Sequence, residues 1–140
     1  MSTKLTLALI EDNAIMRYML ESYLNEHFEV SEFNNGLAFF EWMEETGVPD
    51  IIVTDIKMPE MDGFELINLL KKSKLYQNIP VVMLSGLSDS NARIKCLQLG
   101  AEDYLTKPFN PAELLIKVQK IVKKNNSVNE NFNPTLYQSK

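Results

Sequence analysis

One cysteine, one histidine and one tryptophan are all that these 140 residues carry of three residue types that often mark chemistry. Cys96 has no second cysteine with which to close an internal disulfide, which fits a reducing cytosol and leads to the expectation of a cytoplasmic location. No apolar run approaches the roughly 20 residues needed to span a bilayer. The short apolar stretch in "MSTKLTLALIEDN" is followed by an acidic pair instead of a small-residue cleavage site, so no signal peptide is expected. Basic residues are also in deficit. Fourteen Lys and Arg face nineteen Asp and Glu, for a net charge of -5, so the chain lacks the electrostatic footprint of a nucleic-acid binder. Any control of DNA would lie outside these residues. His27 reads as the end of a surface helix, with no neighbour that suggests a ligand or phosphohistidine role.

What is present is an alternation of apolar runs with amphipathic segments. With 45% hydrophobic and 24% charged residues, the composition is that of one globular domain. Strands are expected over 5–10, 28–33, 51–54 and 81–84, with a short fifth around Tyr104 and Leu105. Helical spacing covers 14–26, 37–45, 64–74, 90–99 and 111–124, with Asp12 and Asn13 as candidate caps of the first helix and Gly100 closing the fourth. Five βα units with strands of nearly continuous apolar character predict a parallel sheet covered on both faces, and right-handed crossovers make it doubly wound. Ligands of such sheets bind at the carboxyl ends of the strands. The Asn-rich segment 125–140 lacks either periodicity and reads as a flexible tail or a truncated linker.

Five polar groups collect at that carboxyl edge. The first strand ends in Glu11-Asp12, the third in Asp55 and the fourth in Ser85, and Lys107 follows the fifth. Three carboxylates together are unfavourable: at 4 Å and an effective dielectric of 20, each pair costs about 4 kcal/mol. A hard divalent cation would supply the missing charge, and Mg²⁺ suits a site of few carboxylates and several waters. Such equipment matches phosphoryl transfer, which needs positioning and neutralisation of charge more than covalent activation. Asp55 would attack phosphorus in line, the metal and Lys107 would hold the phosphoryl oxygens, and Ser85 would donate a hydrogen bond to one of them.

The blocks "LALIEDN", "IIVTDIKMPEMDGFEL", "VVMLSG" and "GAEDYLTKPF" resemble the signature segments of the receiver domain of two-component response regulators, in family order and spacing over about residues 4–124. The resemblance implies a CheY-like, flavodoxin-like (βα)5 sandwich with a five-stranded parallel sheet in the order 2-1-3-4-5. It implies a signalling domain whose chemistry is limited to its own phosphorylation and dephosphorylation. A sensor histidine kinase or phosphotransfer protein would be the phosphodonor. Asp55 is then the phosphoacceptor. Asp12, Asp55 and the backbone carbonyl of Lys57 bind Mg²⁺, with Glu11 acting through metal-bound water. Lys107 is the phosphoryl-binding lysine, and Ser85 and Tyr104 take the switch positions. Phosphorylation would draw the loop after the fourth strand inward and let Tyr104 turn in, altering the surface of residues 89–124.

Arg93, Lys95, Glu102, Asp103, Lys117 and Lys123 fall on that surface. Their signs would suit pairing across a two-fold axis, similar to the dimer face of regulators with winged-helix outputs, and would equally suit a solvated charged face; the sequence leaves both open. Two positions depart from the commoner pattern beside the phosphoacceptor and Ser85. Lys57 puts a second cation at the rim and Leu87 an apolar group, and together they would restrict the attacking water and prolong the phosphoryl group. Ser85 in place of the commoner Thr keeps the hydroxyl and loses a methyl. Cys96 reads as a small packed hydrophobe, Trp42 with Phe39 and Phe40 as packing of the second helix, and Met58-Pro59 and Asp62-Gly63 as turn formers. An aspartyl-phosphate hydrolase of the haloacid dehalogenase type also uses a strand-end Asp, but needs an acid where this chain has Lys57. A flavodoxin-like cofactor binder would need a phosphate-cradling loop that the first strand does not lead into.

Overall fold

A computed structural model describes residues 4–86 and 90–131, with the side chains of Ser90 and of 126–131 outside the description; Leu87 and 132–140 therefore lie outside the described residues. The chain alternates β1 (Thr6–Ile10), α1 (Ala14–Leu24), β2 (Glu29–Phe33), α2 (Gly36–Thr46), β3 (Ile51–Asp55), α3 (Gly63–Lys72), β4 (Val81–Ser85), α4 (Ser90–Gln98), β5 (Asp103–Thr106) and α5 (Pro111–Asn131). All four strand pairings are parallel, and the order is β2-β1-β3-β4-β5, as expected. The central strands are the apolar ones: every residue of β3 and β4 is buried, whereas the edge strand β2 leaves Glu29 and Glu32 exposed. A parallel sheet covered on both faces needs that distribution.

Side chains alternate between two core layers. Ala8, Ile10, Ile52 and Met83 face α2, α3 and α4 through Phe39, Met43, Leu66, Leu70 and Cys96. Leu7, Leu9, Val53 and Leu84 face α1 and α5 through Leu20, Leu24, Leu114 and Val118. Each fully buried Leu or Ile adds roughly 1.5–3 kcal/mol, so both layers resist slippage of the sheet. Phe33, Phe39, Phe40 and Trp42 pack ring against ring at 5.3–6.3 Å, which agrees with a packing role for that aromatic group. Cys96 is buried on α4, and burial pushes its thiol up to about 11, as suits an inert packed residue.

Caps fix the helix starts beside the carboxyl edge. Asn13, Asn35 and Asp62 accept the N–H of Met16, Ala38 and Glu65 at 2.8–2.9 Å. One boundary differs from the expectation. Helix α5 continues to Asn131 instead of ending near residue 124, because nothing between Lys124 and Asn131 is Gly or Pro and an Asn-rich run lowers helix propensity without breaking the backbone ladder.

Candidate functional site

Register brings the acidic groups together. Ile10 lies opposite Thr54, so Glu11 and Asp55, the next residues, emerge side by side. Asp55 lies opposite Leu84, which sets Ser85 one residue beyond it, and Ser85 lies opposite Thr106, which sets Lys107 one beyond that. The edge is thus a staircase across β1, β3, β4 and β5. Lys107 is tied to it through the backbone as well, since its N–H donates to the Ser85 carbonyl at 2.6 Å.

The Lys107 ammonium is the positive centre of the cluster. Its Nζ lies 2.8 Å from Glu11 Oε1 and 3.2 Å from Asp55 Oδ2. Glu11 is fully buried, Asp55 is 6% exposed and Ser85 1%. Ligand oxygens of Glu11, Asp12 and Asp55 all lie within 4.8 Å of one another. Burial pushes the Glu11 carboxyl above the usual range; the hydrogen bond from Lys107 opposes this and the charge of Asp55 reinforces it. Burial alone would lower the Lys107 ammonium, but the hydrogen bond with Glu11 and the charge of Asp55 outweigh it and the group titrates above its ordinary value. The direction at Lys107, set by the carboxylates around it, describes a site with more negative than positive charge. Three carboxylates against one ammonium, all hard oxygen donors, suit a hard divalent cation such as Mg²⁺.

The loop after β3 is tightly built. Asp55 Oδ1 accepts the N–H of Ile56 at 2.8 Å, which turns Oδ2 towards Lys107. Gly63 donates to the Ile56 carbonyl at 2.7 Å, and a Cβ there would stand 2.6 Å from the Asp55 carbonyl oxygen, so the return of the chain to α3 requires glycine. Lys57 sits in this loop with its side chain exposed. Tyr104 is 8% exposed and belongs to the core layer that faces α2, α3 and α4.

Glu11, Asp12, Asp55, Ser85 and Lys107 therefore converge as the sequence suggests, and Leu87 lies outside the described residues. Two charges assigned to the exposed face are paired within the chain: Lys117 Nζ lies 2.9 Å from Asp103 Oδ2. Lys95 stands 4.2 Å over the Phe64 ring, while Arg93, Glu102 and Lys123 are exposed. Sequence reasoning missed Arg17, whose Nη1 donates to the Glu11 carbonyl at 2.7 Å. The available signal was a cation early in a helix, where the macrodipole disfavours it.

A doubly wound parallel sheet with carboxylates and a lysine gathered at its carboxyl edge defines a flavodoxin-like domain with an acidic strand-end site. The family model "Response regulator receiver domain" matches residues 7–119, and the chain belongs to that family. It is 38% identical over 112 residues to hybrid signal transduction histidine kinase D of Dictyostelium discoideum, covering 79% of this chain and 7% of that protein. It is 32% identical to regulatory protein VanRc of Enterococcus gallinarum, covering 81% of this chain and 48% of that protein. The solved receiver domain of Francisella response regulator 1452 superposes with a TM-score of 0.79 at 31% identity, covering 86% of this chain and 98% of that one. The chain thus spans about half of the regulatory protein and a small part of the hybrid kinase. Nothing in these comparisons supports the hydrolase alternative. Among the described residues no helix is long and apolar enough to cross a membrane.

Proposed function

We propose that this receiver domain, residues 4–124, accepts a phosphoryl group on Asp55 from a sensor histidine kinase or phosphotransfer protein in the cytoplasm, with 125–140 as the linker or tail that follows. The observation that carries the reading is the buried Asp55 carboxylate, 3.2 Å from Lys107 and clustered with Glu11 and Asp12. Asp12, Asp55 and the Lys57 carbonyl would hold Mg²⁺ directly, and Glu11 through water. When bound, the ion supplies the positive charge that the carboxylates and the incoming phosphoryl oxygens lack.

The chain's own groups do the rest. An Asp55 oxygen forms the new bond to phosphorus while the bond from phosphorus to the donor nitrogen (or to the acyl oxygen of acetyl phosphate) breaks, and the electron pair leaves with the donor. Lys107 and Ser85 donate to the equatorial oxygens as charge spreads over them. Drawing Ser85 onto the phosphoryl group favours the inward position of Tyr104, with the outward rotamer as the competing state. The α4, β5 and α5 surface then reports the change to a DNA-binding or other output beyond this chain, in some regulators through a homodimer.

The test is incubation with acetyl phosphate and Mg²⁺ followed by intact-mass measurement. One added phosphate in the wild type, absent in Asp55→Asn and absent when EDTA removes the metal, is the expected result. No adduct under any condition would overturn the proposal.

A further inference from the structure

The turn between β1 and α1 holds a cation that the acidic site does not explain. Arg17 falls just after the first turn of α1, a turn without any acidic residue, where a guanidinium opposes the positive end of the helix dipole. Its Nη1 donates to the Glu11 carbonyl at 2.7 Å and reaches the Asp12 carbonyl at 3.5 Å. Among the described residues it forms no ion pair with any carboxylate, although an acidic pair lies beside it. A charged donor this close to a partly buried carbonyl makes one of the stronger kinds of hydrogen bond.

The Glu11 peptide is therefore held on both sides. Its N–H donates to the Phe33 carbonyl at 3.0 Å, and its carbonyl accepts from Arg17. Asn13 closes the same turn, donating its N–H to Glu11 Oε2 at 3.2 Å. Asp12 differs from its neighbours. It is exposed, and among the described residues its carboxylate has no hydrogen bond or ion pair to hold it. Only the backbone of the turn aims it at Asp55, and Arg17 holds that backbone.

We propose that Arg17 is a positioning residue: by clamping the Glu11 and Asp12 carbonyls it fixes the turn that presents Asp12 to the acidic site, and so sets the affinity of that site for a divalent cation. The inference rests on the reading of this site as a Mg²⁺ site. Two effects oppose each other in sign. As a point charge the guanidinium repels Mg²⁺, so its removal would tighten binding; as a clamp it orders a ligand, so its removal weakens binding.

The full chain is titrated with MgCl₂ and followed by amide NMR shifts for the wild type, Arg17→Met and Arg17→Lys, with melting in EDTA recorded alongside. Arg17→Met should bind Mg²⁺ about tenfold more weakly, as groups that orient metal ligands typically do. Arg17→Lys, which keeps the charge but reaches one carbonyl at a time, should fall between. A folded Arg17→Met that binds Mg²⁺ as well as the wild type or better would overturn the inference, and a fall in melting temperature alone would assign Arg17 a structural role only. Should the Met variant not fold, weaker binding by the Lys variant supports the clamp and wild-type affinity overturns it. A wild type that binds no Mg²⁺ would instead defeat the metal-site reading beneath it.

Discussion

Lys107 neutralises parts of two carboxylates with one ammonium, at 2.8 and 3.2 Å, and that economy leaves the pocket negative. Lys57 is the cation of the loop between β3 and α3, and its side chain is exposed. An exposed charge of this kind contributes about 0.2–1 kcal/mol, which converts to a roughly 1.4- to fivefold change in rate. Lys57→Asn should therefore shorten the life of the phosphorylated state by that factor, measured as decay of the intact-mass adduct after the donor is removed. Equal lifetimes would remove Lys57 from the control of hydrolysis. Residues of the site were legible where a side chain does the work: Asp55, Glu11 and Lys107 each stand at or just beyond a strand end, and the end of a continuous apolar run shows where a strand ends. Arg17 was harder to read: its place early in a helix was a signal, but the carbonyls it acts on carry none. The burial of Tyr104 was equally hidden, since it depends on the helices packed over that face of the sheet.

Between β3 and α3, the chain must pass from the phosphoacceptor position to a helix without room for a single Cβ. At Gly63 an added methyl would meet the Asp55 carbonyl at 2.6 Å and Ile56 Cα at 2.9 Å, both backbone atoms that cannot swing away. Gly63→Ala should lower stability by about 1–3 kcal/mol, the usual effect of overpacking, and should slow formation of the adduct because the strain falls on Asp55. Urea unfolding measures the first effect; unchanged stability would mean that the loop relaxes freely. The "MDG" turn was visible in the sequence for its chemistry, though not for this contact. Helix α5 shows the converse limit. Its inner face repeats at three and four through Val122, and beyond that point the pattern no longer says where the helix stops, so its continuation to Asn131 went unread.

At the scale of the molecule, the two core layers and the strand order follow from where apolar runs lie and how parallel crossovers turn, which is why the architecture was readable throughout. The use of the α4, β5 and α5 face was less so. Asp103 and Lys117 satisfy each other within one chain, leaving Arg93, Glu102 and Lys123 to a solvated face or a two-fold partner. Beryllofluoride with Mg²⁺ should shift the chain towards a dimer on size-exclusion with light scattering, and Arg93→Glu should return it to the monomer; a monomer under all conditions would assign these charges to solvent. The central claim is narrower and is tested by locating the phosphoryl group itself. After reaction with acetyl phosphate and Mg²⁺, borohydride reduces an aspartyl phosphate to homoserine, and peptide mapping reads the position. Homoserine at residue 55 alone is the predicted result; reduction at Glu11 or Asp12, or at no carboxylate, would contradict it.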